Sequence, residues 1–202
     1  MLGLAPWWDV QVRGRRHLPK TGACLLCANH QSFVDVLALH RLGIDFKWVL
    51  HDRFERVPVL ASWMRWSGYV AVDPDDPVSA RQMLAEVERW LERGMPVALF
   101  PEGTRSADGQ VAPLKRGPFR AAIATGVPVI PVAIDGTRPV LPRDRWLAAE
   151  PPPWRIRVHV LPPLATSAGE SAPELARVCG RALREELTSM RAGSCAGCNQ
   201  AG

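Results

Sequence analysis

Asn29-His30-Gln31-Ser32-Phe33-Val34-Asp35 is the stretch whose reading decides the fold. An apolar run, Ala23 to Ala28, precedes it, short enough for a buried strand and too short for a typical helix. Phe33, Val36, Leu37 and Leu39 follow, with spacing that suits the apolar side of a helix. His30 therefore falls at a strand-to-helix junction. In an unbroken helix, residues five apart lie about 140° apart around the axis, so His30 and Asp35 would diverge. A helix that starts near Ser32 instead puts Asp35 at its third position. From there it reaches back to the entering chain and can share a hydrogen bond with His30. A second reading stands beside this one: Ser32-x-x-Asp35 also fits a helix capping box, a purely structural task for Asp35.

Outward from that stretch, the 202 residues make one domain with ample material for a core. The domain is expected over 1–190, with a flexible tail at 191–202. The 47% apolar and 22% charged content is ordinary for a globular chain. A net charge of +5 fits anionic lipid, a phosphorylated substrate or nucleic acid and does not choose among them. Arg is plentiful, but there is no recognition motif and only one Tyr, so nucleic acid is set aside as a partner. No apolar run approaches the roughly 20 residues that a membrane span needs. Met1 to Trp8 lacks the charged start and long apolar segment of a signal peptide. Five Cys, an odd number, then favour a reducing compartment. Cys24 and Cys27 lie in the predicted strand and point to opposite faces, so they cannot readily share a metal. Cys195 and Cys198 lack a nearby His, and an inert tail is the expectation.

The remaining chain alternates strand and helix. Asp9 to Arg13, Phe46 to Leu50, Gly68 to Val72, Val97 to Phe100, Val129 to Ile134 and Ile156 to Val160 read as strands. Pro131 in the fifth of these hints at an edge or a bulge. Val57 to Ser67, Val78 to Arg93, Pro118 to Thr125 and Pro173 to Met190 read as helices. The first mixes Leu60, Trp63, Met64 and Trp66 with nearby Arg residues. With Trp7 and Trp8, that leans to a membrane interface, against a core helix with a basic outer face. The alternation predicts an α/β fold with a mostly parallel central sheet flanked by helices. Ligands bind such sheets beyond the carboxyl ends of the strands. Three predicted strands end in polar loops, at Asn29-His30, Glu102 to Arg105 and Asp135 to Arg138, which are expected to converge.

Phe100-Pro101-Glu102-Gly103-Thr104-Arg105-Ser106 supplies the second set of chemical groups. Gly103 lets the backbone approach a ligand closely. Arg105 offers a planar fork matched to phosphate, and Thr104 adds a hydroxyl. Glu102 holds Arg105 or binds a substrate hydroxyl. The alternative is a surface turn with an exposed Glu-Arg pair. Lys115 and Arg116 bring more positive charge just before a helix start, a natural anion site.

With these residues in view, the chain resembles the lysophosphatidic acid acyltransferase family. N-H-Q-S-F-V-D looks like its H-x4-D motif, F-P-E-G-T-R-S like its E-G-T-R motif, and V-P-V-I-P-V-A-I, Val127 to Ile134, like its Pro-containing fourth motif. The likeness runs from about Val10 to Pro163, in matching order. It implies a glycerolipid acyltransferase-like fold and transfer of an acyl group from acyl-CoA or acyl-carrier protein to the sn-2 hydroxyl of 1-acylglycerol-3-phosphate, giving phosphatidic acid. It implies His30 as general base with Asp35 behind it, and Glu102, Gly103, Thr104, Arg105, Lys115 and Arg116 around the acceptor. An unperturbed imidazole titrates near about 6.5 and accepts a proton at neutral pH. Backbone N–H groups near the start of the His30 helix are the expected oxyanion donors. No metal or bound cofactor is expected. The expected partners are the lysophospholipid, the acyl donor and a membrane surface, with peripheral attachment at the cytoplasmic face of the inner membrane.

Two departures bear on the acceptor. The family's second motif commonly reads G-x-x-F-I-D-R, whereas Gly68 to Pro74 reads G-Y-V-A-V-D-P, with Pro74 in place of the Arg. A common family lysine corresponds to His51, a weak contributor at most. Another lyso-lipid acceptor, such as one with a larger head group or a lyso-ornithine lipid, is the alternative. A lipid-binding module with a dead site is a third reading, opposed by intact His30, Asp35, Glu102 and Arg105.

Overall fold

The computed structural model describes residues 8–52, 62, 69–73, 75–141, 151–167 and 169–197. Seven strands form one sheet: β1 (Trp8–Arg13), β2 (Leu25–Ala28), β3 (Lys47–His51), β4 (Val70–Val72), β5 (Val97–Leu99), β6 (Val129–Asp135) and β7 (Trp154–Val160). Their spatial order is β1-β7-β6-β2-β5-β3-β4. β6, β2, β5, β3 and β4 run parallel, whereas β7 pairs antiparallel with β6 and β1 runs alongside β7. The described residues also include the helices α1 (Val34–Leu39), α2 (Pro77–Glu92), α3 (Gly117–Thr125) and α4 (Ala172–Gly197).

The central strands are apolar because both faces of the sheet are covered. Leu26, Ala28, Ala98, Ile130, Val132 and Ile134 pack on one side, in the core that holds Val34, Val36 and Leu39 of α1. Leu25, Cys27, Val97, Leu99, Val129 and Ala133 pack on the other, with Val87 of α2, Phe119 of α3 and Leu183 of α4. Cys24 and Cys27 thus belong to opposite layers, as strand alternation requires. α2 starts where the sequence places it. Asp76 accepts from the N–H groups of Val78 (2.9 Å) and Ser79 (3.0 Å), and Pro77 occupies the first turn, where a missing donor is harmless.

Several expectations change. Pro131 does not mark an edge, for β6 lies between β7 and β2, but the pairing slips by one residue beside it: Val132 faces Val160, whereas Val129 faces Leu164. In a strand the N–H and C=O of one residue face the same side. The Pro131 carbonyl accepts from Leu161 N (2.9 Å), so its missing donor faces the chain just past the end of β7 and removes nothing from the β2 side. Phe33 and Leu37 do not join the core and are exposed, whereas Val36 and Leu39 are buried as read, together with Val34 and Ala38. The helix runs from Val34, with Phe33 already in helical conformation and Ser32 and Asp35 closing its first turn. Trp8 is half-buried and meets Trp154 edge-on, with ring centres 5.5 Å apart. α4 runs to Gly197, so the tail boundary at 191 cuts through a helix. The predicted helix Val57 to Ser67, with its Trp and Arg residues, lies outside the described residues except for Ser62, as does Pro74.

Candidate active site

All three polar loops named from the sequence leave the same edge of the sheet, at the carboxyl ends of β2, β5 and β6. The loop after β2 is knitted to β6 first. Asn29 Nδ2 donates to the Ile134 carbonyl (2.9 Å), and its Oδ1 accepts from Ile134 N (2.7 Å). Gln31 Nε2 also donates to Ile134 O (3.0 Å), and Ser32 Oγ donates to Leu141 O (2.7 Å). Asn29, Gln31 and Ser32 are all buried. These bonds satisfy polar groups that burial would otherwise penalise by about 1–3 kcal/mol each.

Asp35 is the centre of this loop. It is fully buried, and its Oδ2 accepts from His30 Nδ1 (2.9 Å), Gln31 N (2.7 Å) and Ser32 N (2.8 Å). Both readings of Ser32-x-x-Asp35 are therefore realised by one oxygen. The carboxylate closes the capping interaction and meets the imidazole at once. A carboxylate only accepts, so the proton in the His30–Asp35 bond belongs to Nδ1. Nε2 is left with a lone pair and has no hydrogen-bond partner among the described residues. The His30 ring stacks on Phe100, with centres 3.8 Å apart and planes 9° from parallel. Trp48 stands behind Phe100 at 5.6 Å.

Glu102 comes to the site differently from its sequence reading. It is buried, with Oε1 accepting from His30 N (2.9 Å) and Oε2 from Ala112 N (2.9 Å). Both oxygens serve backbone donors. Burial pushes its carboxyl above the usual range, and the two N–H groups and His30 pull the other way. Ser106 N donates to His30 O (2.7 Å), so the β5 loop holds the His30 peptide on both sides. The N–H groups of His30, Gln31, Ser32, Val34, Asp35 and Val36 all have partners within this loop system.

Gly103 has φ +75°, and a Cβ there would lie 2.7 Å from Lys115 Cε and 2.8 Å from Nζ. The Lys115 chain thus lies over the Gly103 backbone, and its amine reaches the loop that carries Thr104 and Arg105. Thr104 and Lys115 are exposed and Arg105 is half-buried. Arg116 separates from Lys115: it lines a groove with Arg177 and Arg184 of α4. His51 ends β3, two strands from β2, and bonds its neighbour Asp52 (Nδ1 to Oδ1, 2.7 Å). Sequence reasoning did not reach Phe100 as a stacking partner or Thr137 as a donor to Asp35. Its one signal for Thr137 was the polar loop after β6.

A histidine–carboxylate pair at the carboxyl ends of parallel strands, with cations on the adjoining loop, is the arrangement this α/β fold presents. Comparison with known proteins gives the particular family. The Acyltransferase family profile matches residues 9–135. The chain is 34% identical over 142 residues to the chloroplastic 1-acyl-sn-glycerol-3-phosphate acyltransferase BAT2 of Brassica napus, covering 70% of this chain and 41% of that protein. It is 32% identical over 192 residues to a 1-acyl-sn-glycerol-3-phosphate acyltransferase of Chlamydomonas reinhardtii, covering 94% of this chain and 56% of that one. The crystal structure of the 1-acyl-sn-glycerophosphate acyltransferase PlsC from Thermotoga maritima superposes with a TM-score of 0.79 at 28% identity, covering 92% of this chain and 73% of that chain. The chain belongs to the acyltransferase family, among the lysophosphatidic acid acyltransferases. It spans about half the length of the curated relatives it matches. No helix among the described residues is long and apolar enough to cross a membrane.

Proposed function

We propose that the chain transfers a fatty acyl group from an acyl thioester, acyl-CoA or acyl-carrier protein, to the sn-2 hydroxyl of 1-acylglycerol-3-phosphate. The observation that carries this reading is the His30 Nδ1–Asp35 Oδ2 bond of 2.9 Å, which leaves Nε2 as the open acceptor. Nε2 takes the hydroxyl proton as the oxygen attacks the thioester carbonyl. Asp35 fixes the tautomer and stabilises the imidazolium. As the tetrahedral intermediate collapses, the C–S bond breaks and the imidazolium returns its proton to the leaving thiolate. No enzyme nucleophile takes part, because the acceptor alcohol attacks directly.

Arg105 and Lys115 are the proposed phosphate ligands, with Thr104 as a hydroxyl donor beside them. Glu102 serves as the brace that ties the His30 peptide to the acceptor loop. Phe33 and Leu37 support attachment to a lipid surface. They are large, exposed and only three and seven residues beyond His30, so an acyl chain or bilayer would cover them next to the base. The sequence at Pro74 favours a second reading, in which the acceptor carries a different head group.

The test is acyl transfer from labelled oleoyl-CoA to a panel of lyso-lipids in liposomes, with His30→Ala as control. The expected result is transfer to lysophosphatidic acid, lost in the variant. Preference for another acceptor would select the second reading, and undiminished turnover by His30→Ala would remove the base.

A further inference from the structure

The loop after β6 holds a residue that the reaction scheme above does not use. Thr137 is fully buried, and its Oγ1 donates to Asp35 Oδ1 at 2.5 Å. The other carboxylate oxygen, Oδ2, already takes His30 Nδ1 and two backbone N–H groups. Thr137 therefore engages the opposite oxygen and sets the rotation of the carboxylate plane. An O–H···O⁻ bond of this length is of the strong, charge-assisted kind.

The turn that delivers Thr137 is built to one shape. Gly136 has φ +87°, and a Cβ there would lie 2.1 Å from the Arg155 carbonyl oxygen. Asp135, one residue earlier, is held by Arg157 Nη2 (2.6 Å) and Arg191 Nε (3.2 Å). After the turn, the Thr137 carbonyl accepts from Val140 N (3.1 Å), which keeps the loop folded over Ser32. A buried hydroxyl needs some acceptor in any protein. Here the acceptor is the carboxylate that orients the imidazole, and the clamps on both sides leave the hydroxyl little freedom to choose another.

We propose that Thr137 is a positioning residue of the acyl-transfer site, acting through Asp35 to hold His30 in its working orientation. This rests on the reading of His30 as the base. Without the hydroxyl, the carboxylate turns, the Nδ1 bond loosens, and Nε2 wanders from the acceptor oxygen. A misplacement of about 1 Å costs up to about 100-fold in rate.

The experiment compares wild type with Thr137→Val, Thr137→Ala and Thr137→Ser, using both steady-state kinetics and the low-field proton NMR resonance of His30 Nδ1, assigned with His30→Ala. Thr137→Val and Thr137→Ala are expected to lower kcat about 10- to 100-fold with KM within about twofold. Thr137→Ser, which keeps the hydroxyl, is expected to stay within about threefold of wild type. The Nδ1 resonance should persist in wild type and Thr137→Ser and broaden or vanish in the other two. The proposal is overturned by kcat for both hydroxyl-free variants within about twofold of wild type, by an equal loss in Thr137→Ser, or by an unchanged resonance. The resonance needs no substrate, so it decides the role of Thr137 even if the acceptor assignment fails. Full turnover by His30→Ala would instead remove the base reading.

Discussion

The cradle around Asp35 and the loop around Arg105 stand side by side but are built by opposite rules. In the cradle, Asn29, Gln31, Ser32, Asp35 and Thr137 are all buried, and each is fixed by hydrogen bonds. On the neighbouring loop, Gly103, Thr104 and Lys115 are exposed. The cradle aims one imidazole at one place, which proton transfer demands. The loop offers long cationic side chains that can follow a phosphate as it arrives. In the proposed function the reaction is thus specified more tightly than the acceptor, and the two regions should fail differently when altered.

The largest effect is expected in the cradle. Asp35→Asn keeps an amide oxygen for the three N–H donors but reverses the bond to the Thr137 hydroxyl and removes the charge that stabilises the imidazolium. We expect kcat to fall about 10³-fold, with KM little changed, in the liposome assay. Gly136→Ala should follow. Its Cβ would meet backbone, which cannot step aside, and a positive φ adds strain. A loss of about 3 kcal/mol is expected in urea unfolding, enough to empty much of a typical stability margin.

Across the divide the effects shrink and change kind. Arg105→Ala should raise KM for a phosphate-bearing acceptor about tenfold, with kcat nearly kept, and the difference should narrow with added salt. A kcat loss instead would put Arg105 in the rate-determining machinery and blur the contrast. Gly103→Ala also sits at positive φ, but its Cβ would meet only the far end of the Lys115 side chain. About 1 kcal/mol of stability is expected to go, less than at Gly136, because that chain can swing away. The smallest effect belongs to Glu102, which bridges the two regions. Burial raises its folded value above the ordinary 4.5. The stability linked to its protonated form is complete below that ordinary value and is lost as pH rises through the folded one. Urea midpoints of wild type should therefore fall relative to Glu102→Gln as pH rises above 4.5. Parallel curves would mean that the two N–H bonds fully offset the burial.

The His30–Asp35 contact was legible because its partners are five residues apart and the chain must turn between them. The parallel strands were legible because Leu25 to Ala28, Val97 to Leu99 and Val129 to Ile134 carry no polar residue to mark a solvent face. Phe33 and Leu37 misled for a related reason. Helical spacing predicts that a stripe is buried only if something packs on it. Pro131 misled only as to an edge: a strand interior tolerates proline where its missing donor faces a break in the neighbouring ladder, a fact that belongs to the partner strand.

By itself the sequence determined the layered α/β class, the edge of the sheet where the candidate site lies, and the residues proposed to form it. Those follow from local periodicity and from which side chains can move a proton or hold an anion. Only the tertiary structure decided what each of them touches. Glu102 meets the His30 peptide across 72 residues, and Thr137 meets Asp35 across 102. Lys115 and Arg116, adjacent in the chain, part to different surfaces. Contacts of that range are set by strand order and register. These are global solutions to burying both faces of one sheet, and no local pattern encodes them.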